Sequence, residues 1–355
     1  MDIAHQRLLN QHLAGTTLAT PAAVVDWLVA AQAQDYAGAK WAIGLRLNGT
    51  TDTAIEHAFN EGTILRTHVL RPTWHFVTPH DIRWLLTLTA PRVHQINGTY
   101  YHRLELDQAT FTRSHDALAK ALRDRQQLTR EELRHALQQA GVATEGELRL
   151  SYLLMQAELD GIICSGPRQG KQFTYTLLDE RAPEAITLAR EEALAELSRR
   201  YFISRGPATI QDYAKWSGLT TADARYGLEA VKAEFTQEVV DGRTYWLSTA
   251  TPSVKEVPPT AYLLSIYDEY ISGYKDRSAL GDAEIAARLW AMGNALQYII
   301  VVDGQIVGTW KRTLKKAAVV IETNLFRSLT EAENRAIVVA AHQYGDFLDR
   351  PVLLA

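Results

Sequence analysis

One plan, a helix, a tight break, a second helix and a two-stranded hairpin, recurs three times along this sequence. A chain repeated in this way is built as a row of similar units rather than around one central core. The third copy shows it most clearly. Thr209 and Asp212 have the spacing of a helix cap, a short helix runs through Trp216, and Gly218 breaks it. Thr220 or Thr221 caps a second helix to about Glu234. Residues 238–240 and 244–247 then flank Asp241-Gly242, a dipeptide suited to a two-residue hairpin turn. Helix, tight turn, helix and hairpin is the plan of a winged helix-turn-helix. The second copy starts at Thr129-Arg-Glu-Glu132, with capping-box spacing, and Gly141 closes that helix. Residues 148–160 form its next helix, and 161–165 and 173–177 its wing. In the first copy, residues 53–60 supply the last helix, 63–70 and 73–77 the strands, and Arg71-Pro72 the turn.

Between the first two copies, Thr78-Pro79 opens a spacer helix through residues 84–90 by cap and proline logic. Beyond Pro258-Pro259 the pattern changes. Residues 262–267, 298–302, 305–309 and 317–321 read as strands, Asp303-Gly304 as a hairpin turn and 331–344 as a final helix. The expected fold is therefore α+β, mainly helical, with three tandem winged helix-turn-helix units and a small C-terminal α+β region. The expected divisions are 1–112, 113–182, 183–257 and 258–355. A chain of 355 residues suits several domains of ordinary size.

Composition narrows the chemistry. The one cysteine, Cys164, excludes an internal disulfide and every multi-cysteine zinc module. The eleven histidines are scattered, and His75 and His80 straddle Pro79 with poor spacing for a metal pair, so no metal is expected. No apolar run approaches the ~20 residues of a membrane helix, and residues 1–11 lack a basic-then-apolar signal layout, which makes the cytoplasm the expected address. Phosphate-loop, dinucleotide, hydrolase and zincin motifs are all missing. The net charge of −4 weighs mildly against a nucleic-acid partner. Local clusters weigh the other way: Arg66, His68 and Arg71; Arg123, Arg125, Arg130 and Arg134; Arg199, Arg200 and Arg205; Lys311, Arg312, Lys315 and Lys316. Any one cluster alone reads as a solvated face. Helix-turn-helix units usually place a helix in a duplex groove with Arg and Lys on phosphates, although they also serve as protein-docking modules.

The stretch Ala31-Gln32-Ala33-Gln34-Asp35-Tyr36 ends the first strongly helical segment, which Thr20 caps and Pro21 opens. On a continuing helix, residues two apart point in nearly opposite directions. Gln32 and Gln34 converge only if the chain leaves helical geometry near Ala33, and Gly38 offers a break. By spacing alone, this Gln-x-Gln is a solvated or capping pair.

Its context carries more. Ala31-Gln-Ala-Gln-Asp35 is followed by Trp41-Ala-Ile-Gly-Leu-Arg46, then Leu70-Arg-Pro-Thr-Trp-His-Phe76. Farther on come Asp268-Glu-Tyr270 with Gly273-Tyr-Lys-Asp-Arg277, and Gly308-Thr-Trp-Lys-Arg312. In this order, over nearly the whole chain, these motifs resemble the bacterial AlkZ-like DNA glycosylases, the winged-helix DNA-binding family that also contains YcaQ. The resemblance implies a C-shaped protein that cradles duplex DNA, excises N7-alkylated purines and, in some members, unhooks interstrand crosslinks. It also implies that Gln32 and Gln34 are the catalytic pair, since the AlkZ-like branch has two glutamines where the YcaQ branch has Asp second. Asp35 is expected to be structural.

Neutral amides suit such a substrate. Alkylation at N7 makes the purine cationic, so the base departs neutral and needs no general acid, unlike the two-carboxylate glycosidase arrangement. What remains is to place a water beside the anomeric carbon and to stabilise an oxocarbenium-like sugar. The resemblance places a hairpin near the lesion, which makes Arg66, His68, Arg71 and His75 candidate DNA contacts. Lys311 and Arg312 join them as candidate phosphate ligands. Trp74 is expected in the core, and Asp268, Tyr270 and Tyr274 at a domain junction. The whole is expected to be a monomeric, monofunctional enzyme acting on double-stranded DNA with no cofactor, since the motif holds no lysine for Schiff-base chemistry. A non-catalytic winged-helix regulator and a protein-docking scaffold are the alternatives.

Overall fold

The computed structural model describes residues 1–15, 18–146, 148–249, 259–291 and 298–355, so the division expected at 257 lies outside the described residues. After an opening helix α1 (Ile3–Asn10), three segments follow one topology. In the first, α2 (Pro21–Leu28) leads to a short strand β1 (Ala31–Gln32). Two helices, α3 (Tyr36–Gly44) and α4 (Asp52–Glu61), precede a hairpin of β2 (Leu65–His68) and β3 (Trp74–Val77). Helix α5 (Ile82–Arg103) links it to the second segment. There α6 (Gln108–Leu122), β4 (Leu128–Thr129), α7 (Arg130–Gln139) and α8 (Arg149–Leu159) come before β5 (Ile163–Ser165) and β6 (Thr174–Leu177). A short α9 (Leu178–Arg181) precedes the third, made of α10 (Arg190–Arg205), α11 (Ile210–Ser217), α12 (Thr221–Val231), β7 (Phe235–Val240) and β8 (Arg243–Ser248).

The short strand always pairs with the second hairpin strand. Sheet order is β1-β3-β2 in the first segment and β4-β6-β5 in the second, and in the third an isolated bridge from Ala208 to Trp246 of β8 takes the same place. The caps follow from the sequence. Thr129 and Glu132 exchange side-chain-to-backbone bonds at the start of α7, as do Thr209 and Asp212 at α11, which satisfies otherwise orphaned N–H groups. Asp241 and Gly242, at φ 49° and 72°, make the tight turn between β7 and β8.

The remaining chain forms one sheet from β9 (Ala261–Leu264), β10 (Ile299–Val302), β11 (Gln305–Leu314), β12 (Val319–Leu325) and β13 (Val352–Leu354). It includes helices α13 (Glu269–Ser272), α14 (Ala283–Ala291) and α15 (Glu331–Phe347). Its order is β13-β12-β11-β10-β9, with β13 parallel to β12 and the other pairs antiparallel.

Three large cores hold the molecule together. One joins α1 to α4 with the C-terminal sheet and α15: Trp41 lies 4.9 Å from the Tyr344 ring and 5.0 Å from that of Phe347, and its Nε1–H donates to Leu263 O at 2.6 Å. A second packs part of the first hairpin and α5 against α10, α11 and α12, and a third lies within the second segment. The first segment is thus clamped between the C-terminal sheet and the third segment.

Helix α5 departs from its expected span. It starts at Ile82 rather than Thr78, because the Thr78 Oγ1 accepts the Asp81 N–H at 3.2 Å and holds a turn there. It continues past Pro91 to Arg103, with Val93 packed on Leu159 and Asn97 donating to the Met155 sulfur, so it is a core element rather than a bare spacer.

Candidate active site

The decisive local event comes earlier than the sequence indicates. Helix α2 stops at Leu28 because Val29 takes φ 63° and ψ −51°, and the Ala30 N–H reaches back to Leu28 O at 2.7 Å. This is a γ-turn of the rare strained hand, and a β-branched residue at positive φ needs outside support. Arg205 of α10 provides it. Its Nη1 donates to Leu28 O and its Nη2 to Ala30 O, both at 2.9 Å. Gly38, expected to supply the break, instead lies inside α3.

After the turn the chain is extended. Ala31 pairs with Phe76 and Gln32 with His75 in β1 and β3, and the Ala33 N–H donates to Trp74 O at 2.8 Å. With the period of a strand, Ala33 is buried while Gln32 is half-buried and Gln34 exposed, so the two amides flank one inward-facing residue. Both reach the same loop: Gln32 Oε1 accepts from Arg71 Nη2 at 3.4 Å, and Gln34 Oε1 from the Trp74 N–H at 3.3 Å. In the second segment α7 begins directly after Thr129. Here Ala33, Gln34 and Asp35 intervene between β1 and α3, so the motif occupies extra chain at that junction.

A buried network fixes this backbone. Glu269 Oε1 accepts the Gln32 N–H at 3.0 Å, while its Oε2 accepts Arg205 Nη2 at 2.8 Å and the Trp216 Nε1–H at 2.9 Å. The Arg205 guanidinium also lies 4.3 Å above the Trp216 ring. Beside it, Asp268 binds Arg46 through both oxygens at 3.0 Å, and the Tyr274 hydroxyl donates to Arg205 O at 2.8 Å. The third segment touches the site too: a Cβ on Gly218, at φ 72°, would stand 2.2 Å from Leu70 O, so only glycine lets the α11–α12 turn rest on the hairpin tip.

Residues 25–347 match the family described as DNA glycosylase AlkZ-like. The chain belongs to the AlkZ-like DNA glycosylase family. It is 25% identical over 321 residues to a protein of Streptomyces sahachiroi named interstrand DNA cross-link repair glycosylase, covering 86% of this chain and 85% of that one. The fold is that of the solved Streptomyces sahachiroi DNA glycosylase AlkZ, with a TM-score of 0.82 at 22% identity, over 100% of this chain and 98% of that one.

Within this AlkZ-like glycosylase, the residues expected to contact DNA differ widely in exposure and partners. His68 is buried, with Nδ1 hydrogen-bonded to the buried Glu158 carboxylate and its ring 4.2 Å from that of Trp74. His75 is fully buried, and both imidazoles are hydrogen-bonded within the protein. Arg312 is half-buried and bonds the hydroxyls of Tyr344 and Tyr298, and Tyr298 in turn donates to Asp35 Oδ2 at 2.9 Å. It braces the residue after Gln34 rather than extending into solvent. Lys311 is exposed on β11. Arg71 is half-buried against Gln32. Arg66 is buried between Trp74 and Phe173, and the Trp74 ring is only half-buried, not a core residue. Among the described residues no group of three His, Cys, Asp or Glu side chains is arranged to hold a metal, and no helix is long and apolar enough to cross a membrane.

Sequence reasoning passed over Glu269, Arg205 and Trp216. Glu269 stood in view inside Asp268-Glu-Tyr270, and Arg205 was grouped with solvated cations.

His75 yields a prediction. Burial, then the Arg71 charge, pulls its pKa well below the ordinary 6.5. The ring is neutral when folded, with Nδ1–H donating to Thr73 O at 2.9 Å. The unfolded chain takes up a proton near 6.5 that the folded protein excludes. The contribution of His75 is therefore complete above about pH 6.5 and declines as pH falls through the window down to the depressed folded value. Below pH 6.5, unfolding free energy of the wild-type protein is expected to drop more steeply than that of His75→Asn, by up to about 1.4 kcal/mol per pH unit. Urea titrations across pH check this, and parallel curves would refute it.

Proposed function

We propose that this glycosylase hydrolyses the N-glycosidic bond of cationic N7-alkylated purines in duplex DNA, with Gln32 and Gln34 as the catalytic pair. One observation carries the reading: two uncharged amides flank a buried alanine on an extended stretch that a buried carboxylate–guanidinium pair holds in place. Among the described residues each amide oxygen accepts a single bond and keeps a lone pair for a water or for the sugar. Such oriented dipoles stabilise a developing oxocarbenium ion without proton transfer, which suffices when the leaving base is already positively charged. The three repeated segments are, on this reading, winged helices set in a C around the duplex. The name of the Streptomyces sahachiroi relative extends the proposal to interstrand crosslinks.

The lesion itself tests it. With duplexes of identical sequence, base release is expected from N7-methylguanine and none above background from uracil, which would have to leave as an anion. Equal release of both would show that the protein protonates or otherwise stabilises an anionic leaving base and would overturn the mechanism. Duplex binding without release from either would leave only a DNA-binding module.

A further inference from the structure

We propose that the groove between the first hairpin and the β5–β6 wing is an anion site that takes one backbone phosphodiester of the bound duplex, with Arg66 as its main donor. That the anion belongs to a DNA strand rests on the function proposed above. The groove encloses 420 Å³ and is lined chiefly by Arg66, Trp74, Arg130, Glu131, Lys171 and Phe173, three cations against one carboxylate.

Arg66 carries the argument. Its side chain is only 7% exposed, with the guanidinium carbon 4.3 Å from the Trp74 ring centre and 4.6 Å from that of Phe173. Nε donates to Ala33 O at 3.0 Å, whereas the two terminal nitrogens have no hydrogen-bond partner among the described residues. Burial depresses its pKa to about 10 despite the opposing pull of the Glu158 carboxylate. The nearby carboxylate of Glu158 is already bonded to His68. The two terminal nitrogens open onto the groove, so water serves them in the free protein and a bidentate anion serves a cation already stripped of most of its hydration better. Two parallel N–H groups held between aromatic faces match the two free oxygens of a phosphodiester.

Position favours a strand over a free anion. Ala33, whose carbonyl anchors Arg66, lies between Gln32 and Gln34, and the Trp74 N–H binds Gln34 while its ring walls the groove. An anion bound here is attached to the same short piece of backbone as the amide pair, where a phosphate flanking the target nucleotide would lie.

Binding of undamaged duplex tests this without any base release. Titrations over a range of salt concentrations compare wild type with Arg66→Gln and with the rim variant Arg130→Gln/Lys171→Gln, which leaves the Ala33 contact intact. The slope of log affinity against log salt is expected to shrink by about one unit in Arg66→Gln, as for one released counterion, and measurably in the rim variant. In a scan of duplexes with a single neutral methylphosphonate, one position is expected to weaken wild-type binding about tenfold and to have no further effect in Arg66→Gln. Equal slopes in all three proteins, or a scan with no Arg66-dependent position, overturn the proposal. So does stabilisation by inorganic phosphate that needs Arg66 while the scan stays flat, since the site then serves a free anion. If Arg66→Gln does not fold, the salt slope of the rim variant decides, together with a methylphosphonate position whose effect in wild type shrinks in that variant. Excision with equal slopes would remove this site alone, and coupling without excision would remove only the glycosylase chemistry.

Discussion

Gln34→Ala is expected to slow base release from N7-methylguanine duplex about a hundredfold, while duplex affinity and stability stay close to wild type. The structural side is well defined. Gln34 is exposed and among the described residues makes one bond, at 3.3 Å, to the Trp74 N–H, so its truncation falls among surface changes worth no more than about 0.5 kcal/mol. The kinetic side follows from the work assigned to the amide. Removing one preorganised dipole beside a developing charge costs about 3 kcal/mol in the transition state and little in the ground state, so kcat falls while KM holds. Gln32→Ala is expected to match it, and the double variant to be hardly worse than either, because two groups that hold one water fail together. Single-turnover release, corrected for spontaneous depurination, checks all three. A Gln34→Ala rate within threefold of wild type would end the assignment.

The repeated segments could be read from the sequence because their signals are local. A capping threonine followed three residues later by an acid, a glycine at φ near 72°, and an Asp-Gly turn each fix geometry within a few residues, and the structure places α7, α11 and the β7–β8 hairpin where those signals lie. The short strands β1 and β4 were not legible, because two residues carry no periodicity and exist only through pairing with a strand more than forty residues away. The shared core of the first segment and the C-terminal sheet was hidden for the same reason: Trp41 meets Tyr344 across some three hundred residues.

The site divides along the same line. That Gln32 and Gln34 can meet only off a helix follows from helical geometry, and the chain does leave the helix, four residues earlier than expected. The cause is non-local, since a valine at φ 63° is tolerated only with Arg205 satisfying the carbonyls on either side of it. The basic clusters do not sort themselves in the sequence, which shows charge without burial. Arg66, Arg205 and Arg312 look alike in the chain, yet one faces a groove, one is fully buried in an ion pair and one is tied to two tyrosines.

Glu269→Ala should give the largest loss of stability among single substitutions near the site, about 3–5 kcal/mol, because it strands a buried charge instead of deleting an exposed one. Glu269 and Arg205 are 2% and 0% exposed, and the carboxylate also receives the Trp216 and Gln32 N–H groups. Without it Arg205 has no ion-pair partner among the described residues, in a domain class whose total stability is only about 5–15 kcal/mol. The exposed pair Arg335–Glu331, with side chains 65% and 89% accessible, provides the contrast. Its removal should cost less than about 1 kcal/mol. Glu269→Gln separates stability from positioning: its amide oxygen can still accept one N–H, but the charge that binds Arg205 is gone. The Val29 turn then loses its brace, and the Gln32 backbone gains freedom. At a temperature where Glu269→Gln remains folded, base release should slow at unchanged duplex affinity, and further exposure of the Trp216 indole should register in its fluorescence. If urea midpoints for Glu269→Ala and Glu331→Ala shift equally, the buried pair is not what secures the strained turn. If Glu269→Gln excises at the wild-type rate, the position of Gln32 does not depend on that carboxylate.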